Sequence, residues 1–267
     1  MIFASSLAAV CLWMLLAWLV SLVRRDVSII DAFWGPGFLV AAATAHALAG
    51  GVFSPRRQLL LGLVAVWGLR LGLYLLRRNL ALGEEDYRYR AMRQRWGERF
   101  PWVSLGTVFL FQAVLCWFIA LPLVVVQGSP GPLHLTPLDG LGIALWLVGF
   151  GFEAVGDLQL ARFKADPGNR GKVLDRGLWR YTRHPNYFGD FLVWWGFFAI
   201  ALASPDGWKT LASPLLMSLF LMRISGVTLL EKKLSKTRPG YREYTRRTNA
   251  FFPGPPKPPA EDPDADP

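Results

Sequence analysis

Seven ionisable side chains interrupt stretches that are otherwise apolar: Asp31, Arg70, Glu153, Asp157, Asp190, Arg223 and Glu231. A charge at the centre of a bilayer costs about 3 kcal/mol or more, so such residues face a cavity, a partner or water and are functional candidates by default. Glu153 and Asp157 are four apart and share one helix face. Two carboxylates there suit cations or ligand hydroxyls, and Arg70 and Arg223 are cations of the same set. A second concentration lies at 175–190, which reads DRGLWRYTRHPNYFGD. There Pro185 can start a helix, Asn186 stands beside it, and several Arg lie just upstream. That is the composition of an anion-binding helix N-terminus, with guanidinium forks that suit phosphate. Carboxylates nearby could hold ribose hydroxyls or an amide. These residue types fit a cytosolic, phosphate-bearing cofactor that meets a membrane-dissolved substrate.

The elements that must position them are membrane spans. The chain is 267 residues long, 53% hydrophobic and 18% charged, with a mean hydropathy of +0.31, whereas soluble domains are about 25% charged. Segments 1–23, 101–138 and 191–205 carry no charge. A spanning helix needs about 20 apolar residues, which predicts an all-α membrane protein with spans near 2–23, 29–50, 58–77, 103–127, 138–161, 186–204 and 209–230. The run 101–138 is too long for one helix, and GSPGP (128–132) marks its break. With the N-terminus outside and the C-terminus cytoplasmic, 24 of the 29 basic residues fall on the inner side, as the positive-inside rule requires. The seven polar residues then lie in the inner third of their spans, and the simplest arrangement is a cavity open to the cytosol. The plainer alternative is that they snorkel to the interface or pair across helices as structural glue. One domain over 1–252 is expected, followed by a disordered tail at 253–267 with seven Pro and four acids. The first apolar run has its arginines after it and reads as an uncleaved anchor.

Other readings are excluded or set aside. The net charge of +10 lies in loops between spans, which leaves no basic face for nucleic acid. His46, His134 and His184 are too far apart in sequence to suggest a metal site, and Cys11 and Cys116 sit in apolar runs, which argues against a disulfide. Gly149 and Gly151 lack the spacing and the preceding strand of a dinucleotide fingerprint. Gly142, Gly149 and Gly156 recur every seven residues instead, which predicts close helix packing. Trp13, Trp18, Trp34 and Trp102 read as interface anchors. The acids Glu84, Glu85 and Asp86 read as a solvated loop or a lid. Tyr241 and Tyr244 are expected to pack the tail on the bundle, and His184 to brace its loop.

The run RYTRHPNYFGD (180–190), preceded by GLW, resembles the signature of the C-terminal domain of the steroid 5-alpha-reductase superfamily. The whole chain is more closely similar to a bacterial multi-pass membrane family placed beside it. Three further segments carry that likeness: DVSIIDAFWGPGF (26–38), GEEDYRYRAMRQRWG (83–97) and KTRPGYREYTRRTNAFFPG (236–254). The reductase-like C-terminal region covers about 103–252. The resemblance implies seven helices, NADPH in a cytosol-facing cavity, and reduction of an activated carbon–carbon double bond in a steroid- or isoprenoid-like lipid. It implies that Asn186 and Asp190 hold the nicotinamide end and that Glu153, Asp157, Lys164, Lys172 and Arg223 surround the ribose and phosphates. Arg183, Tyr187 and Glu231 are further cofactor contacts on the same likeness. Asp31 falls near the acid that helps bind the substrate carbonyl, and Asp31 with Tyr74 forms the catalytic expectation. Where the steroid enzymes have a carbonyl-polarising Tyr, this chain has Trp67, so Tyr74, Tyr87 or Tyr89 would take its place. Hydride transfer from NADPH to the β-carbon, then protonation of its neighbour, is the implied chemistry. The expected partners are a lipidic small molecule and membrane lipid, without nucleic acid or metal, in the cell inner (plasma) membrane. Two alternatives stay open. Isoprenylcysteine-type methyltransferases, which use S-adenosylmethionine, share R-H-P-x-Y-x-G and a later acid–Leu–Gly–Tyr–Tyr pattern, here Glu231, Leu234, Gly240, Tyr241 and Tyr244. A non-catalytic lipid-binding protein on the same scaffold is the other.

Overall fold

Length and hydropathy decide the first helices, and glycine, proline and capping residues decide where they stop. A computed structural model of the protein describes residues 1–50, 54–129, 134–224, 227, 231, 234, 235 and 237–257. Among these, the chain is helical wherever it is regular, and no strand is present. Five stretches are long and apolar enough to cross a membrane: Ile2–Arg24, Val27–Ala49, Pro55–Leu82, Tyr87–Ile119 and Pro137–Ala165. The protein is thus a multi-pass, all-helical membrane protein. The sixth expected span, 186–204, is the 17-residue helix Pro185–Ala201. The seventh begins with Ala212–Leu219 and a π-helical turn Phe220–Ile224, and most of its remainder lies outside the described residues. The chain divides into two compact units: Met1–Leu141 with Phe197–Ser213, and Gly142–Gly196 with Pro214–Pro267.

The first unit is built on α1 (Ile2–Arg24), α2 (Ile30–Ala49) and α3 (Pro55–Leu82). Helix α1 buries one stripe, Ser6, Val10, Met14, Ala17, Trp18 and Ser21, at the three-and-four spacing of a single face, and it packs on α2. Helices α2 and α3 touch backbone to backbone. A Cβ on Gly35 would lie 2.5 Å from the Gly68 carbonyl oxygen, and one on Gly68 2.6 Å from that of Gly35. Pro36 lies inside α2, where it lacks the N–H that the Ala32 carbonyl would otherwise receive. Gly72 fits both the proline ring and that carbonyl, since a Cβ there would meet Pro36 Cδ at 2.8 Å and Ala32 O at 2.9 Å.

Two stretches depart from the hydropathy reading. The segment 77–101, expected as a loop, is largely helical. Helix α3 runs to Leu82 and ends at Gly83 in the left-handed region (φ 67°). Asp86 then caps α4 (Tyr87–Trp96) by accepting from the Arg88 N–H (2.9 Å). The span expected over 103–127 is not one rod. It comprises α5 (Phe100–Ser104), a π-helical stretch Leu105–Leu110, α6 (Phe111–Ile119) and α7 (Leu121–Gly128). Pro122 in the first turn of α7 forces the break at Ala120, and the Ile119 carbonyl accepts from Ser213 Oγ instead (2.5 Å). At the other end of the unit, Arg56 forms a buried fork with Asp139 (2.6 and 2.7 Å), and both side chains are at most 2% exposed. Gln127 beside it donates to the Arg57 carbonyl (2.9 Å) and accepts from His46 Nδ1 (2.8 Å).

The second unit carries most of α8 (Pro137–Ala165) and α9 (Pro185–Ala201). Its C-terminal part has the short helix Tyr241–Arg247 and an extended strip through Lys257, pinned by Gly254 N–H to the Tyr181 carbonyl (3.0 Å) and Lys257 N–H to that of Arg247 (2.8 Å). Of the expected disordered tail, 253–257 is held in this way, and 258–267 lies outside the described residues.

Candidate functional site

In the second unit, the seven-residue glycine spacing works as expected. A Cβ on Gly149 would lie 2.6 Å from the Gly189 carbonyl oxygen, and one on Gly196 2.7 Å from that of Gly142. A Cβ on Gly189 would collide with the Glu153 backbone nitrogen, and one on Gly156 would come within 3.2 Å of Pro185 and of the Asn186 nitrogen. Helices α8 and α9 therefore run backbone against backbone along three levels. The consequence is chemical. Glu153 and Asp157, each only 3% exposed, are held against the first two turns of α9, and Asn186 Nδ2 donates to Asp157 Oδ1 (3.1 Å). Asp190, one residue past Gly189, is half-buried on the same helix. The crossing thus gathers Glu153, Asp157, Asn186 and Asp190 from segments about thirty residues apart.

The turn before α9 is braced by its own side chains and by the C-terminal strip. Trp179 Nε1 donates to the Gly156 carbonyl (3.1 Å), and the Leu178 N–H to Gln159 Oε1 (3.0 Å). Tyr244 Oη donates to the Trp179 carbonyl (2.6 Å), Thr182 Oγ1 to that of Phe251 (2.7 Å), and Arg183 N–H to that of Asn249 (2.9 Å). Arg183 is fully engaged: its fork meets Glu231 (2.7 and 3.2 Å), and Nη1 reaches the Thr245 and Thr248 carbonyls (2.8 and 3.3 Å). His184 Nε2 donates to the same Glu231 oxygen (3.1 Å) and its ring stacks on Tyr187 (5.6 Å between centroids, 6° between planes). Burial alone would raise the Glu231 pKa. The His184 hydrogen bond and the Arg183 charge outweigh it and hold the carboxyl below its ordinary range. Arg183 and Glu231, both expected at a cofactor, are placed here as a brace. Nothing in their sequence spacing signals this, because the partners lie about 50 to 65 residues away.

The cations are distributed differently. Lys164 is exposed near the end of α8, and Arg223 is exposed in the π-helical turn. Lys172 lines a cavity of about 300 Å³ together with Arg180, Arg247, Tyr244 and the acids Asp175 and Glu243. Tyr244 is buried, and burial raises its pKa; the same cause pushes Tyr241 up to about 12. Both tyrosines pack the C-terminal helix inward, as the sequence predicts.

Asp31 and Tyr74 belong to the first unit. Asp31, in the first turn of α2, accepts from Arg78 Nη2 (2.9 Å). Arg78 also donates to Asn79 Oδ1 (3.2 Å), and Asn79 Nδ2 donates to the Ser28 carbonyl (2.7 Å). Tyr74 is half-buried on α3. Trp67, two turns earlier, is fully buried between the rings of Phe38 (5.6 Å) and Phe197 (6.2 Å). Of the acids read as a solvated loop or a lid, Glu84 is exposed and Glu85 and Asp86 are tied down. Glu85 takes a fork from Arg93 (2.7 and 2.9 Å) and the Val27 N–H (2.9 Å), and the Asp86 N–H donates to Ser28 Oγ (2.7 Å). Arg78, Asn79 and Ser28 escaped the sequence reading, and the Arg-Arg-Asn run before Gly83 was the available signal. Among the described residues, no three His, Cys, Asp or Glu come together as a metal would need.

A family model described as "Protein of unknown function (DUF1295)" matches residues 17–248. This chain belongs to the DUF1295 family. The match takes in both units, from α1 to the helix Tyr241–Arg247. A fungal relative of this DUF1295 protein, "Uncharacterized protein C594.04c" of Schizosaccharomyces pombe (strain 972 / ATCC 24843), is 27% identical over 266 residues, covering 88% of this chain and 75% of its own. No solved structure matches the chain.

Proposed function

We propose that this DUF1295 protein is a membrane-embedded, NADPH-dependent reductase of an activated carbon–carbon double bond in a steroid- or isoprenoid-like lipid. We place it in the cell inner membrane, with seven spans and the N-terminus outside. The observation that carries the reading is the α8–α9 crossing, which holds the buried Asp157 against the Asn186 amide with the buried Glu153 one turn before it. Their chemistry fits the cofactor: Glu153 and Asp157 accept from ribose hydroxyls, and Asn186 offers both a donor and an acceptor to a carboxamide. Lys172, Arg180 and Arg247 around their cavity suit phosphates, including the 2′-phosphate that separates NADPH from NADH. Bound there, NADPH supplies the hydride for the β-carbon of a polarised alkene. The protein's part is orientation, exclusion of water and stabilisation of charge on the substrate oxygen.

Asp31 and Tyr74 are the residues for that last task. Helices α2 and α3 run antiparallel, and Phe38 meets Trp67 across them. One heptad on, which returns to the same face, the corresponding positions are Asp31 and Tyr74. Trp67 offers no hydroxyl, so the Tyr74 phenol is the donor to a developing enolate, with Asp31 oriented by Arg78 beside it. Saturating NADPH raises the thermal unfolding temperature of the purified protein, and Glu153→Gln or Asp157→Asn weakens NADPH binding at least about tenfold, or roughly 1.4 kcal/mol. Absence of any shift with NADPH sinks the reading.

The Arg183–His184–Glu231 cluster favours a second reading. It joins the R-H-P motif to the later acid, as an isoprenylcysteine-type methyltransferase has both. Competition between NADPH and S-adenosylmethionine separates the two, and a lipid-binding scaffold binds neither.

A further inference from the structure

We propose that the corner of the first unit where α1 ends against the residues around α5 is a binding site for an anionic phospholipid. Three contacts assemble it. Trp18 Nε1 donates to the Pro101 carbonyl (3.0 Å), the Trp18 and Trp102 rings lie 5.4 Å apart, and Arg93 Nη2 donates to the Arg25 carbonyl (3.3 Å). These bring the end of α1, which carries Arg24 and Arg25, against the segment 93–102, which carries Arg95, Arg99 and Trp102. The acids of the neighbourhood are already committed: Glu84 to Arg90, Glu85 to Arg93, Asp86 to Arg88, and Asp26 to the Ser28 N–H. Among the described residues, Arg24, Arg25, Arg95 and Arg99 are exposed and have no carboxylate within salt-bridge distance, and Asp26, bonded to a neutral N–H, and Glu98 are the two acids left among them.

An apolar ladder leads to these guanidinium groups. Leu12, Leu16, Leu19 and Val23 are exposed at steps of four, three and four along α1, and Val23, 87% exposed, directly precedes Arg24. Trp102, against Trp18 of the same helix, is 70% exposed, which suits an interfacial aromatic ring. A ladder one acyl chain wide, a ring at headgroup depth and four guanidinium groups against the two carboxylates of Asp26 and Glu98 leave a net positive patch that complements a diacyl phosphate with net negative charge. A zwitterionic lipid would set its ammonium among the guanidinium groups. The site lies outside the proposed cofactor residues and does not depend on the reductase reading.

The test titrates the full chain, in neutral detergent, with phosphatidylglycerol, phosphatidylcholine and glycerol 3-phosphate. Bound lipid is read by native mass spectrometry and stability by thermal unfolding. Phosphatidylglycerol is expected to bind and to raise the unfolding temperature, and phosphatidylcholine to do neither. Each arginine near an anionic lipid contributes about fivefold in affinity, so Arg95→Gln with Arg99→Gln weakens retention about 25-fold. The matching Lys pair keeps most of it, and Lys209→Gln, in the turn Gly207–Thr210 where Lys209 pairs with Asp206 (2.7 Å), changes nothing. Equal binding of the two lipids, or an unaffected Gln pair, overturns the proposal. Glycerol 3-phosphate matching the lipid would reduce the site to a phosphate site without an acyl component and overturn it equally.

Discussion

At the scale of single residues, Tyr241 and Tyr244 make a controlled contrast. Both are buried on one short helix, but Tyr244 Oη donates to the Trp179 carbonyl (2.6 Å), whereas the Tyr241 hydroxyl has no hydrogen-bond partner among the described residues. Tyr244→Phe is therefore expected to cost about 1–1.5 kcal/mol, and Tyr241→Phe to be neutral or slightly stabilising, in thermal unfolding of the purified protein. Glu231 yields a pH prediction. Its carboxyl titrates below the ordinary 4.5 because the His184 hydrogen bond and the Arg183 charge outweigh burial. A depressed folded value means that its stabilisation is complete above pH 4.5 and is lost as pH falls through the lowered value. Unfolding temperature should accordingly decline on acidification below 4.5, with a shallower decline in Glu231→Gln. The role of Arg183 was hidden from sequence. Arginine beside His-Pro-Asn suggests phosphate, but its fork is taken up by Glu231 and by two backbone carbonyls, and carbonyls leave no trace in residue type. The burial of Glu153 and Asp157 was legible because carboxylates in an apolar run are costly and therefore conspicuous.

At the scale of elements, the α8–α9 crossing depends on absent side chains. Gly189→Ala would set a methyl against the Glu153 backbone and is expected to cost about 1–3 kcal/mol while prying Asp157 from Asn186. NADPH affinity should then fall along with stability. Gly151→Ala, on the facing helix α8 but with nothing within 4 Å of its Cβ, should gain about 0.5–1 kcal/mol and leave NADPH affinity unchanged. Comparable losses from both alanines would mean that the glycines act through helix propensity and not through contact. The seven-residue repeat announced this crossing. Hydropathy failed at α4 and at the Pro122 break. Helix α4 is a polar surface helix whose only sequence marks are the Asp86 cap and Gly97, and a proline inside an uninterrupted apolar run is invisible to a windowed average.

For the molecule as a whole, the apolar composition foretold a multi-pass helical protein, and the pairings at helix ends needed coordinates. The Arg56–Asp139 fork lies fully buried where α3 and α8 begin. Removing either partner alone strands a charge and is expected to cost about 3–5 kcal/mol. Arg56→Met with Asp139→Leu should recover most of that loss in thermal unfolding, and a double variant as unstable as the singles would show that the fork is indispensable.

The bend at 179–184 also has a bearing on biogenesis. The bonds that complete it come from Tyr244, Thr245, Thr248, Asn249, Phe251 and Gly254, which a ribosome adds some sixty to seventy residues later. Helix α9 is thus inserted with its entry turn held by Gly156 and Gln159 of α8 but without the C-terminal brace, which is complete only once translation has passed Gly254. A nascent chain stalled before that point should remain open to protease at the Arg180 and Arg183 bonds, while the earlier helices are already resistant.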